Sequence, residues 1–499
     1  MAGSNETRAL IMNDNIRQRP RGLLDSTVAA AVVGLFLVGM FPDPRMSARA
    51  EGAGSGPEAA LAPVVEVENV VYAFTNANNG AGPMWCSGST PMVRVGGSVF
   101  AAGLETLAGV PPLNNCRWQL FGLDGGADWR VLLSDAEGRT REPSPMVTFD
   151  GGRFFLSANP TLGKAPEPGG GPARPTLLEF SAKDPGKPVR EVFPGWKGAP
   201  RFSEHSYRSF AADGSKRELI LFQNIDYTHA EWAFMDSEGA WSAQGQLKWP
   251  WGAEYAKPQP IRVCYPNVAL KDRQVFFCGV SDVVEPNPAW RAFKKELTGK
   301  EWDYDFRRLF FTWTPDIKTE GFKPWIEVAS REATCGWISP GDLFVAGDGT
   351  VHIVWTERAL DERLRAKFFP DARQSHELHY ATIKGGVVTT RRTLYAVEEG
   401  KPGLVASAAR FQPAPGGELY LVCYVQGTDA SGKGVSENRI QRVGAEGLVG
   451  APARIPLKTP FVSYFTATPR AGSAPSRTLD MLGMRSGSAN EIAYARVRF

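Results

Sequence analysis

From residue 64 onward the chain alternates between short apolar runs and polar turns, and the runs come in pairs. Each pair is a strand-length stretch, a turn that usually carries Gly, and a second strand-length stretch. The pattern reads MVRVGGSVFAA from Met92, MVTFDGGRFFLS from Met146 and SFAADGSKRELILFQ from Ser209. It returns as NVALKDRQVFFCG from Asn267, LFVAGDGTVHIVW from Leu343, ARFQPAPGGELYLVCY from Ala409 and FTATPRAGSAPSRTLDMLGM from Phe465. Between these pairs lies a second hairpin: WQLFGLDGGADWRVLL from Trp118, LLEFSAKDPGKPVREVF from Leu177 and WAFMDSEGAWSAQGQL from Trp232. Its later copies are LFFTWTPDIKTEGFKPWIEV from Leu309, LHYATIKGGVVTTRRTL from Leu378 and IQRVGAEGLVGAPARI from Ile440.

Two hairpins make a four-stranded unit, and residues 65–499 divide into seven such units of about 62 residues each. This spacing predicts an all-β, seven-bladed β-propeller of four-stranded blades. The seventh unit has only three strands, ending in IAYARVRF from Ile492, while VVEVENVVYAF (Val64–Phe74) stands alone before the first unit. A closed ring leaves no exposed sheet edge, so the N-terminal strand is expected to complete the last blade. Two β-sandwich domains are the alternative, and they leave that orphan strand unexplained.

Composition agrees with strands and turns. The 499 residues include 53 Gly, 38 Pro, 28 Phe, 14 Trp and 12 Tyr, which excludes a helical bundle. Net charge is +3, and most of that excess lies in the first 50 residues, so no nucleic-acid footprint is present. Arg17, Arg19 and Arg21 precede an apolar run from Val28 to Phe41, followed by Ala48-Arg49-Ala50. The run is short for a membrane span, and this order predicts a signal peptide over residues 1–50, a linker over 51–64 and the propeller over 65–499. The protein is therefore expected to be secreted or periplasmic, without stable membrane insertion once the signal is removed. Six cysteines in an exported chain suggest disulfides, with Cys86–Cys116 and Cys264–Cys278 as candidate pairs beside Cys335 and Cys423. A structural zinc held by Cys264, Cys278, Cys335 and a histidine is the rival reading.

One face of a propeller collects the loops that enter each innermost strand and those that leave the second strand. Unit three sends Glu204, His205, Tyr207 and Arg208 there, then Asn224, Asp226, Tyr227 and His229. Unit four adds Arg262 and Tyr265, with an insertion from Val280 to about Asp305 that carries Arg291. Unit five adds Trp337, Ser339 and Asp342, then Glu357 and Arg358 and a second insertion reaching His376. Long insertions on one side of a rigid scaffold build binding sites. His205 and His229 flank one hairpin and suit acid–base work near neutrality. His352, inside HIVW, reads as packing. His376 and His379 point to opposite faces of a strand, unlike the HExxH zinc motif. GTDASGKG from Gly427 has Gly434 where a phosphate loop needs Ser or Thr, and DSEGAW (Asp236–Trp241) and DGGADW (Asp124–Trp129) read as Gly turns with a packing Trp.

The repeating turns resemble the BNR-repeat, sialidase-like propellers over essentially the whole chain after the signal. EHSYRSFAADG (Glu204–Gly214), QNIDYTHAEWAFMDSEG (Gln223–Gly239) and CYPNVALKDRQVFFCG (Cys264–Gly279) resemble the catalytic-blade pattern of propeller-type ulvan lyases. His205, His229 and Tyr265 match that pattern, and Cys278 stands where it has Arg. The resemblance implies β-elimination on uronic-acid glycans. Tyr265 would act as base, and His205 and His229 would bind the carboxylate or share the proton transfer. Arg208, Arg262 or Arg291 would stabilise the developing charge in place of the absent Arg. Glu204, Tyr207, Asp226, Asp342, Glu357 and Arg358 complete the expected substrate-binding set. The expected partner is a polysaccharide or other glycan. The alternatives are a glycoside hydrolase using paired carboxylates among Glu204, Asp226, Asp342 and Glu357, or a non-catalytic glycan- or protein-binding propeller.

Overall fold

The computed structural model describes residues 60–85, 87–164 and 170–499. The expected signal peptide, most of the linker and Cys86 lie outside them. Among the described residues, seven four-stranded antiparallel sheets form a closed ring. Their innermost strands are Met92–Val95, Met146–Phe149, Ser209–Asp213, Val263–Lys271, Trp337–Val345, Gly403–Pro413 and Phe461–Thr466, which define blades 1 to 7. The chain is an all-β seven-bladed propeller. Its last blade is completed by the N-terminal strand Val64–Ala73, which pairs antiparallel with Glu491–Arg498 from Val64 opposite Arg498 to Ala73 opposite Glu491.

Burial follows from the stacking of blades. A middle strand such as Arg153–Ala158 is covered on both faces by neighbouring blades, and every residue after Arg153 is buried. An outermost strand such as Val387–Glu398 mixes exposed and half-buried positions. The core lies in wedges between blades. Phe100, Phe154 and Phe180 stack across blades 1 and 2 at centroid separations of 4.3 and 5.2 Å. Leu309, Phe311 and Trp355 fill the wedge between blades 4 and 5, and Met92, Leu482 and Tyr494 that between 7 and 1.

The hub is held by polar groups. In blade 7 the segment Thr468–Ser473 crosses to the inner strands of blades 2 and 3, where Thr148 N donates to Ala471 O (2.8 Å) and Ala212 N to Arg470 O (2.9 Å). Gly472 permits this approach, because a Cβ there would sit 1.9 Å from the Thr148 carbonyl oxygen. From this segment Arg470 donates to Asp342 Oδ1 (2.6 Å), Asn267 Oδ1 (3.0 Å) and the Gly88 carbonyl (2.9 Å). Asp342 also accepts from the backbone N–H of Leu343 and of Phe411, both at 2.9 Å. One buried ion pair thus ties blades 1, 4, 5, 6 and 7.

Among the described residues two α-helices interrupt the strands, both in the insertions. Pro288–Thr298 is capped by Asn287, whose side chain accepts from Ala289 N and Trp290 N, and ends at Gly299 with φ 67°. Glu362–Phe368 is capped by Asp361. They meet through Trp290–Phe369 and Phe293–Phe368, each 5.7 Å between centroids. Asp236 confirms the turn reading of its box: its carboxylate accepts from Glu238 N and Ala240 N (3.2 and 3.1 Å).

The described cysteines correct the expected pairing. Cys116, Cys264, Cys278, Cys335 and Cys423 are buried thiols with no disulfide among them. Cys264 faces Val280 across its hairpin and Cys278 faces Asn267, so these two do not stand opposite each other.

Two stability measurements test this packing. Removing one partner of a buried ion pair costs about 3–5 kcal/mol, so Arg470→Met should lose that much in denaturant unfolding. Arg477→Ala, which breaks the exposed pair with Glu418, should lose less than about 1 kcal/mol. Equal losses would contradict a hub role. His352 bonds Tyr380 Oη through Nδ1 (2.7 Å), and burial depresses its pKa from 6.5 to about 4. The unfolded chain therefore binds a proton that the folded one refuses. This contribution, about 3 kcal/mol, is complete above pH 6.5 and lost as pH falls to about 4. His352→Gln should shrink the acid loss in that window, and an unchanged profile would contradict it.

Candidate functional site

On the loop face, two tyrosines take left-handed backbone conformations that side chains rarely adopt: Tyr207 (φ 40°) and Tyr265 (φ 48°). Tyr265 sits where the pairing of Val263–Lys271 slips between Cys264 and Asn267, and the bulge lifts its ring out of the ladder. Gly88 packs against the same bulge, since a Cβ would come within 2.2 Å of the Pro266 carbonyl oxygen. That contact brings the blade 1 entry loop, and with it Trp85, over blade 3.

The resulting cluster is aromatic. Trp85 stacks on Tyr207 (4.7 Å, 20°) and approaches His205 (5.3 Å) and Tyr265 (5.9 Å). Tyr207 meets His205 at 4.6 Å and Tyr265 edge-on at 5.2 Å. Tyr207 is only 5% exposed and forms the floor. Burial, then the nearby Asp282, pushes its phenol well above the ordinary value. The band continues through Tyr265–Phe306 (5.9 Å) and Phe306–Trp337 (4.7 Å), with Tyr304 beside Phe306 (6.3 Å). It reaches solvent at Trp337, 40% exposed, and at Tyr227, 41% exposed and hydrogen-bonded to Tyr304 through the phenols (2.9 Å).

Charges around the band are paired inward. His205 Nδ1 lies 3.4 Å from Glu142 Oε1, and the same oxygen accepts from Ser206 N (2.8 Å). Burial alone would raise the Glu142 pKa. Contact with His205, the charges of His205 and Arg208, and the Ser206 hydroxyl outweigh it and hold the carboxyl below its ordinary range. Arg262 is buried against Asp282 (2.5 Å), with its guanidinium over Tyr227 (3.9 Å) and Tyr207 (5.1 Å). Arg208 is 2% exposed and donates to the carbonyls of Ser157 (3.0 Å) and Pro143 (2.9 Å).

The structure thus brings His205, Tyr207, Arg262 and Tyr265 together. His229 stands at the start of the third strand of blade 3, its ring nitrogens against Thr228 Oγ1 (2.7 Å) and Glu231 Oε1 (3.0 Å). Glu204 accepts from Gly171 N (2.9 Å) and faces Arg141 (3.9 Å). Asp226 is exposed in its turn, and Arg291 is exposed on its helix. Asp342 belongs to the hub, and Arg358 lies 6.0 Å from the Trp337 ring. Trp85, Tyr304 and Phe306 were not singled out by sequence reasoning. Trp85 nevertheless lies in the loop that enters the innermost strand of blade 1, as His205 lies in the loop that enters that of blade 3.

The cysteine-based zinc grouping is not assembled. Cys264 and Cys278 are packed in the apolar wedge between blades 4 and 5, and Cys335 accepts from Arg307 Nη1 (3.0 Å). A candidate metal cluster stands instead at Glu357, Glu377 and His379, whose ligand atoms lie within 4.8 Å of one another. On the opposite face, a cavity of about 400 Å³ is lined by the hairpin turns at Asp150, Asp213 and Asp272, with Lys271, Phe344 and Arg470. Among the described residues no helix is long and apolar enough to cross a membrane.

No protein-family model and no curated protein matches the chain. Among solved structures, a protein of unknown function from Dyadobacter fermentans is similar at 11% identity, TM-score 0.41, covering 88% of this chain and 99% of that one. The polysaccharide lyase Uly1 is similar at 11% identity and TM-score 0.35, over 70% of this chain and 89% of its own. The α-L-arabinofuranosidase Arb93A of Fusarium graminearum, solved with an iminosugar inhibitor, is similar at 11% identity and TM-score 0.39, over 86% and 97%. These likenesses are too distant to bear on function; the fold rests on the strand pairing of this chain.

Proposed function

We propose that this propeller is an exported glycan-binding protein whose loop face holds a polysaccharide along the aromatic band. The carrying observation is the unbroken run of rings from His205 and Trp85 through Tyr207, Tyr265 and Phe306 to Trp337, exposed at its far end. A sugar ring presents a face of C–H groups that stacks on an aromatic ring, while its hydroxyls bond to polar groups at the edges. Rings spaced along a surface suit an extended chain of sugars. Arg17, Arg19 and Arg21, the apolar run after them and Ala48-Arg49-Ala50 support export.

One arrangement favours a second reading, β-elimination on a uronic-acid chain. Tyr265 is raised on its bulge beside His205, which is backed by Glu142. In that reaction Tyr265, as the phenolate, takes the proton from the carbon next to the carboxylate, the freed electron pair forms a C=C bond as the bond to the leaving oxygen breaks, and the Tyr265 hydroxyl returns the proton to that oxygen. His205 faces the carboxylate. The position where the ulvan-lyase pattern has Arg is Cys278, 1% exposed in the core, and Arg262 and Arg208 are engaged internally. Charge neutralisation therefore falls mainly to His205, and binding is the reading the geometry favours over cleavage. A paired-carboxylate hydrolase is disfavoured because Asp342 is locked in the hub, Glu357 is engaged within the blade 5 cluster, and Glu204 is held by Gly171 N and Arg141.

Binding to a panel of neutral and uronate polysaccharides, measured by calorimetry, tests both readings. Tyr227→Ala and Trp337→Ala, at exposed ring positions, should each weaken the best ligand by about tenfold, or about 1.4 kcal/mol. Unchanged affinity in the double variant would contradict the band as the binding surface. With uronate polymers, elimination would raise the ultraviolet absorbance of an unsaturated sugar, and Tyr265→Phe and His205→Ala should each abolish the rise. Full activity in both would reject the assignment of those residues. A flat trace with new reducing ends would indicate hydrolysis, and a flat trace with retained binding a non-catalytic protein.

A further inference from the structure

The sheet of blade 5 carries a second constellation, separate from the aromatic band. Glu357, on strand Val351–Arg358, stands directly opposite Glu377 on strand Ser375–Lys384, and His379 follows two residues later on the same face. His379 Nε2 lies 2.9 Å from Glu377 Oε2 and 3.7 Å from Glu357 Oε2. An ion about 2.1 Å from each donor requires donor separations of about 3–4 Å. The present donor atoms, all within 4.8 Å of one another, stand close to that spacing.

His379 is the observation that distinguishes this group from an ordinary acidic surface. It is 7% exposed, and its Nδ1 is hydrogen-bonded to the Thr393 hydroxyl (3.1 Å), which fixes the ring. Its Nε2 is consequently turned into the cluster, buried, with the Glu377 and Glu357 carboxylates as its neighbours. Metal-binding histidines are oriented in the same way, with the second ring nitrogen held by a polar neighbour. Two cations already face the carboxylates: Arg331, from the end of blade 4, bonds Glu357 through Nε and lies 3.3 Å from Glu377 through Nη2, and Arg391 Nη2 lies 3.9 Å from Glu357 Oε1. The Arg331 side chain is 23% exposed, so it has a route to solvent.

We propose that Glu357, Glu377 and His379 form a zinc site in which the metal competes with the Arg331 guanidinium for the two carboxylates. The donor set selects the metal: an imidazole with two carboxylates suits zinc, whereas calcium and magnesium prefer all-oxygen shells. Three protein ligands leave one tetrahedral position for water.

Calorimetric titration of the full chain with zinc chloride tests the site. One equivalent should bind. Glu377→Gln, at a half-buried position that tolerates change, and His379→Ala should each weaken binding by at least about tenfold. Arg331→Ala should tighten it, because the competing cation is gone; a role in packing alone would not produce tighter metal binding. His376→Ala, on the exposed opposite face, should bind as the parent does. No zinc binding by the parent, unchanged affinity in Glu377→Gln and His379→Ala, no gain in Arg331→Ala, or loss in His376→Ala would each overturn the proposal.

Discussion

A guanidinium buried at the hub of the ring is the constraint from which the other features follow. Arg470 reaches Asp342, Asn267 and Gly88 at once, and Asp342 passes the connection on to Phe411. Wedges of Phe, Leu and Val hold neighbouring blades together, but apolar contacts are non-directional and tolerate sliding. Hydrogen bonds from one planar fork to three blades do not. The hub thereby fixes how far each inner strand extends toward the loop face, and the strand Val64–Ala73 closes the ring from outside.

That rigidity gives the loop face its character. Tyr207 and Tyr265 occupy strained backbone conformations, which persist only where the surroundings over-determine them. Here the surroundings are Trp85 above, the Pro266 bulge against Gly88 and the Arg262–Asp282 pair behind. The charged groups among these are paired inward, so the surface offered to a ligand is mainly ring faces with polar edges. Such a surface recognises sugars by shape and stacking more than by charge.

Much of this was legible in the sequence. The turn spacing from Met92 to Phe465 revealed seven units, and the lone strand Val64–Phe74 revealed the closure, because both depend on local turn chemistry and on period-two burial. His205 and Tyr265 were legible as neighbours only once a ring was assumed. Trp85 and Phe306 were not, since an aromatic residue in a loop carries no sign of whether it packs or binds. Asp342 read as a ligand because a buried strut and a binding carboxylate look alike until the partner, 128 residues away, is seen. The helix Pro288–Thr298 carried its own signals, Asn287 and Pro288 before it and Gly299 after it, but these sat inside an insertion read as a loop. In HELH the eye falls on the two histidines. The pair sharing a face is Glu377 and His379, and the third member comes from the adjoining strand.

A structure determined with a bound oligosaccharide is the most direct test of the central claim, that a ring locked at Arg470 assembles a sugar-binding band from distant loops. Sugar rings resting on Tyr265, Phe306 and Trp337, with the Arg470–Asp342 contact unchanged, are the predicted result. Sugar seated instead in the cavity beside Asp150, Asp213 and Asp272 would contradict it.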